Sequence, residues 1–115
     1  MEKIVEQGLL YDFYGELLTE HQRNIYEGVV FNDMSLSEIA EEQGISRQGV
    51  HDNLSRTEAL LRNMEEKTGC VRRDLACRRA VEKIQTLARQ FCDNKDQQVS
   101  DLARSILTEL QGLEE

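Results

Sequence analysis

An all-α fold is what this 115-residue chain predicts, and three observations carry the prediction. Proline is absent, so no helix interior meets a residue that removes its amide and crowds the preceding turn. Glu, Leu, Gln, Arg and Ala are abundant and β-branched runs are missing. Apolar residues recur at three- and four-residue steps, the spacing of one helical face. A chain of this length buries roughly two thirds of the surface its unfolded form exposes, enough for one modest domain with a helical extension.

Six helices are expected in order, with no strands. Ile4, Leu10, Tyr11, Tyr14, Leu17 and Leu18 form one stripe on a first helix, interrupted at Thr19. "TEHQ" is a capping box, Thr19 with Gln22, which opens a second helix from Glu20 to about Val30 that buries Ile25, Tyr26, Val29 and Val30. "FNDM" ends it as a polar turn. "SLSE" is a second box, Ser35 with Glu38, opening a short helix that buries Leu36, Ile39 and Ala40. Gly44 then allows a sharp reversal, since positive φ is cheap for glycine. Ser46 caps a long fourth helix carrying Val50, Leu54, Leu61 and Met64, which ends near Lys67 before Gly69. Cys77, Val81, Ile84, Ala88 and Phe91 stripe the fifth. After "CDNKDQQ", Val99, Ala103, Ile106, Leu110 and Leu113 form a heptad-like seam on the sixth. The expected division is a helix-turn-helix domain at 1–68 and a C-terminal helical extension at 69–115.

Charge is distributed unevenly within the net -8. Residues 1–44 carry two basic and ten acidic side chains, whereas residues 67–89 carry seven basic and two acidic. The three cysteines show no C-x-x-C pairing and no histidines at ligand spacing, so buried reduced thiols are expected and no metal or other cofactor is. If residues 70–77 are helical, Cys70 and Cys77 stand about 10 Å apart along the axis, too far for a disulfide. No apolar run approaches the ~20 residues needed to cross a bilayer, and "MEKIVEQGLL" lacks a signal-peptide core, so the expectation is a soluble cytoplasmic protein without membrane insertion. No phosphate-cradling glycine loop or nucleophile-base pair is present, which argues against an enzyme.

"SLSEIAEEQGISRQGVHDNLSRTEALL" carries the chemistry that remains. Ile39, Ala40, Ile45, Val50 and Leu54 supply internal contacts of a helix-turn-helix, in which the second helix can enter a major groove. Its outward positions are then Arg47, Gln48, His51, Asp52 and Ser55, with Arg56 beyond. The amino terminus capped by Ser46 offers free amides to a phosphate. Arg47 and Gln48 suit guanine and adenine edges, or are solvated first-turn residues. Asp52 either specifies cytosine or forbids DNA, and Arg56, four residues on, is placed to mask its charge. His51 reads as exposed or half-packed. Arg72, Arg73, Arg78 and Arg79 are candidates for accessory phosphate contacts.

Over residues 19–61, "LTEHQRNIYEGVVFNDMSLSEIAEEQGISRQGV" and the rest of its last helix resemble region four of bacterial sigma factors. Over roughly residues 9–67, "LYDFYGELLTEHQ" and "SLSEIAEEQGISRQGVHDNLSRTE" resemble more closely the YlxM family of small helix-turn-helix proteins. That resemblance implies a DNA-binding regulator and a link to the signal recognition particle pathway. Gly49 and His51 stand where alanine and tyrosine are expected, and a glycine inside a helix is expected to admit close approach by a partner.

Two functional readings remain. One is a regulator of double-stranded DNA, whose -8 charge predicts weak non-specific binding that fades with salt. The other is an adaptor for a protein or ribonucleoprotein partner such as signal recognition particle components, with the acidic amino half facing a basic surface. The seam on the last helix either folds back or pairs with a second copy, and a homodimer is expected.

Overall fold

The computed structural model of the protein describes residues 1–114, and among them are six α-helices and no strand. They are α1 (Lys3–Tyr14), α2 (Glu20–Tyr26), α3 (Leu36–Gln43), α4 (Arg47–Thr68), α5 (Cys70–Arg89) and α6 (Gln97–Glu114). The chain divides into two compact units, Met1–Arg72 and Arg73–Glu115, with the division falling inside α5.

In the first unit α1 ends in a single 3₁₀ turn, Gly15–Leu17, and Leu18 is extended. Both capping boxes form. Thr19 Oγ1 accepts from Gln22 N at 3.2 Å while Gln22 Oε1 accepts from Thr19 N at 2.9 Å. Ser35 Oγ accepts from Glu38 N at 3.1 Å while Glu38 Oε1 accepts from Ser35 N at 3.4 Å. Each box satisfies two amides that a helix start otherwise orphans.

The second helix departs from expectation. Its α-helical part stops at Tyr26 and widens into a π-turn over Glu27–Phe31, closed by Asn32 N donating to Glu27 O at 3.0 Å. "FNDM" is therefore helical at Phe31, and Asp33 turns the chain at φ 52°. The widening brings Gly28 against α3, where a Cβ would stand 2.3 Å from Ile39 Cδ1. Val29 and Val30 end half-buried instead of buried, Val29 at the edge of the core.

Ile25, Ile39, Ala40 and Val50 form the buried centre, with Val29, Met34, Leu36 and Ile45 packed around it. Three helices thus share one core, and α1 closes the lower half of α4. There Leu10, Tyr14, Leu18 and Leu61 are buried, while Ile4 and Leu17 of the expected stripe are 51% and 69% exposed. The α4–α5 junction is a second left-handed glycine, Gly69 at φ 66°, whose amide donates to Glu65 O at 2.7 Å. Glu65 also caps the start of α5, accepting from Val71 N at 2.9 Å and Arg72 N at 3.1 Å. Tyr14 Oη donates to the same carboxylate at 2.7 Å, tying α1 to the junction. Burial by itself would push the Glu65 carboxyl up; the three donors and the Arg72 charge reverse that and hold it below its ordinary value.

The second unit is a pair of helices. Ala88 and Phe91 line one groove with Val99 and Ala103, while Val81 borders Leu113, so α5 and α6 run antiparallel. The turn between them is ordered by side chains. Asp96 Oδ1 accepts from Gln98 N at 2.9 Å as an N-cap, and Ser100 Oγ donates to Cys92 O at 2.5 Å. A pair of helices buries only the faces that the two turn to each other, and the expected burial falls short accordingly. All three cysteines are free thiols, but Cys77 is exposed and Cys70 and Cys92 are half-buried. Of the α6 seam only Ala103 is buried, and Leu113 is 71% exposed. Among the described residues no helix is long and apolar enough to cross a membrane.

Candidate nucleic-acid interface

The reversal at Gly44 sets the geometry. Its φ of 69° is left-handed, its amide donates to Ala40 O, and Ile45 N donates to the same carbonyl at 3.0 Å. Two donors on one carbonyl close the end of α3 and turn Ile45 back into the core. Ser46 then starts α4, its Oγ accepting from Gly49 N at 3.0 Å. Gly49 faces that cap: a Cβ there would stand 3.2 Å from Ser46 Oγ, so the space it leaves belongs to the protein's own turn.

Val50 is wholly buried and Leu54 half-buried, which forces the opposite face outward. Ser46, Arg47, Gln48, His51, Asp52, Ser55 and Arg56 are all exposed. The Arg47 guanidinium makes no hydrogen bond or ion pair with any described residue. Gln48 Nε2 donates to Asp52 Oδ1 at 2.9 Å, and His51 Nδ1 lies 3.6 Å from the same oxygen. The expected masking of Asp52 by Arg56 does not form. Arg56 Nε donates to the backbone carbonyl of Asp52 at 3.3 Å, leaving the carboxylate to Gln48 and His51. On the preceding helix Glu38, Glu41 and Glu42 are exposed, so carboxylates flank the cation-bearing turn.

The four accessory arginines are exposed and fall in different units. Arg72 belongs to the first, where its charge acts on Glu65. Arg73, Arg78 and Arg79 belong to the second, where Arg78 Nε donates to Asp74 Oδ2 at 2.7 Å.

Two features of α4 were not anticipated. Thr57 is fully buried and its Oγ1 finds no partner, and Asn53 Oδ1, one turn earlier, is likewise buried without one. Thr57 stands seven residues after Val50 and four before Leu61, so the apolar spacing did place it inward. The other is the Tyr14–Glu65–Thr68 cluster, with Tyr14 Oη and Thr68 Oγ1 2.5 Å apart. Nothing in local sequence joins residues so distant.

A braced, N-capped helix with one face kept in solvent, preceded by a short helix and a left-handed turn, defines the class: a helix-turn-helix protein on a trihelical core. A family model described as "Putative helix-turn-helix protein, YlxM / p13 like" matches residues 1–103. The chain belongs to that family, UPF0122. It is 39% identical over 107 residues to a UPF0122 protein of Geobacillus kaustophilus, an alignment covering 92% of this chain and 96% of that one. It is 53% identical over 75 residues to a UPF0122 protein of Acetivibrio thermocellus, covering 65% of this chain but 64% of the relative. A UPF0122 protein of Bacillus cereus is 42% identical over 87 residues, covering 76% of this chain and 79% of its own length. The family resemblance read from "LYDFYGELLTEHQ" and "SLSEIAEEQGISRQGVHDNLSRTE" is thereby established.

Proposed function

We propose that the protein binds double-stranded DNA through the first two turns of α4 and acts as a regulator by binding, without catalysis. The observation that carries this is Arg47, exposed and without a protein partner, at the free-amide end of a helix that α3 braces from behind. Ser46 and the α4 amides meet a phosphate, Arg47 and Gln48 reach base edges or the backbone, and His51, Ser55 and Arg56 border the contact. Asp52 accepts from cytosine or from Gln48. Arg72, Arg73, Arg78 and Arg79 add backbone contacts. Two copies acting together would read two half-sites, which fits a homodimer.

The test is fluorescence anisotropy with random and genomic duplexes across a salt series. Binding at about 50 mM salt that falls steeply by about 200 mM, and that Arg47→Ala weakens, is the expected result. No binding at the lowest salt retires the proposal.

A second reading is favoured by charge. The first unit carries seven basic against fourteen acidic side chains, and Glu41 and Glu42 stand on the helix before the turn. The same scaffold would then serve as an adaptor for a basic protein or ribonucleoprotein surface, with signal recognition particle components as candidates. Pull-down with and without nuclease separates the cases, because recovery of the free protein alone under both conditions removes its support.

A further inference from the structure

We infer that the outer apolar face of the α5–α6 hairpin is where a second copy docks, the two hairpins closing into a four-helix bundle. The inference rests on the homodimeric reading and names the surface that makes it. Ile84, Leu87 and Phe91 on α5 are 43%, 58% and 45% exposed, and Leu102 on α6 is 63% exposed. With Val99 and Ile106 they line one open groove of about 340 Å³. An unpaired hairpin cannot dehydrate such a face, whereas four antiparallel helices bury it in a shared core.

Charge identifies the occupant as another copy of this chain. Helix α5 carries six basic and two acidic side chains, while α6 carries one basic and three acidic. Lys83 borders the apolar stripe on α5 and Glu109 borders it on α6. A two-fold pairing that lays α5 of one copy against α6 of the other sets opposite charges together at both rims, whereas α5 on α5 would oppose like charges. The size is adequate too. Two helices of this length present a face of about 30 by 20 Å, so the pair removes more than ~1,000 Å² from water, the lower bound for a specific interface.

Light scattering on the full chain across the micromolar range gives the mass, and helicity from circular dichroism checks folding. The wild type is expected at twice 13.3 kDa. Leu87→Glu with Leu102→Glu, both at exposed positions, is expected to yield a folded monomer. Lys83→Glu is expected to raise the dissociation constant several-fold, and Leu17→Glu on the first unit to leave the mass unchanged. A monomeric wild type overturns both the homodimer and this surface. A dimer that survives Leu87→Glu/Leu102→Glu, or that Leu17→Glu dissociates, overturns the surface alone. Because no DNA is present, neither result bears on whether α4 reads a duplex.

Discussion

Asp52 governs what the outer face of α4 can touch. Its carboxylate holds the Gln48 amide at 2.9 Å, so the side chain best suited to adenine is engaged within the helix, and a phosphate approaching Arg47 meets a negative charge one turn away. Asp52→Asn is therefore expected to tighten binding to random duplex by up to about tenfold at low salt, and Arg47→Ala to loosen it by a similar factor, both read by anisotropy. Beneath that face the stability effects have other signs. Thr57 keeps a hydroxyl with no partner in a fully buried position, and Thr57→Val removes it at constant shape. The substitution should raise the urea midpoint, by the equivalent of about 1 kcal/mol. Glu65 is the pH-sensitive residue. A carboxyl held below its ordinary 4.5 in the folded state adds stability that is fully present above that value and lost as pH falls through the folded one. Urea titrations from neutral to acid pH should show wild type losing stability below about 4.5, with Glu65→Gln less stable at neutral pH and flatter through the acid limb.

The elements hold together by different means at their two ends. Starts are set by side chains from the same stretch: Thr19, Ser35 and Ser46 each accept a backbone amide three residues on. Ser46→Ala should lower stability by about 1 kcal/mol in thermal or urea unfolding and expose the Arg47 turn to fraying. The end of α3 depends on backbone handedness. At Gly44 a Cβ would meet nothing within 4 Å, so Gly44→Ala costs only the left-handed strain, about 1–2 kcal/mol, and should leave the α3–α4 angle intact. Gly28 reverses that balance. Its backbone is unstrained, but a Cβ would collide with Ile39 Cδ1, so Gly28→Ala should destabilise by about 1–3 kcal/mol and loosen the core under α4.

For the whole molecule, charge sets the limits of either function. Arg47, Arg56 and the four proposed accessory arginines together predict a logarithmic salt slope of about 5 for duplex binding. A slope of about 2 would mean that Arg47 and Arg56 alone meet the phosphates. All six helices, both capping boxes, the Gly44 turn and the family were legible in the chain, because each rests on contacts within four or five residues. Outward placement of Arg47, Gln48, His51 and Asp52 was legible too, since Val50 at helical spacing dictates which side faces in. What those side chains do with one another was less so: Arg56 was expected on the Asp52 carboxylate and lies on its carbonyl. Sequence by itself determined where helices begin, turn and show their apolar stripes, through hydrogen bonds and periodicities local to the chain. Tertiary structure alone decided the π-turn at Glu27–Phe31, the Tyr14–Glu65 tie and the incomplete burial of α5 and α6. Those depend on how closely distant segments approach and on how many layers cover a face, and neither quantity is encoded in any short stretch.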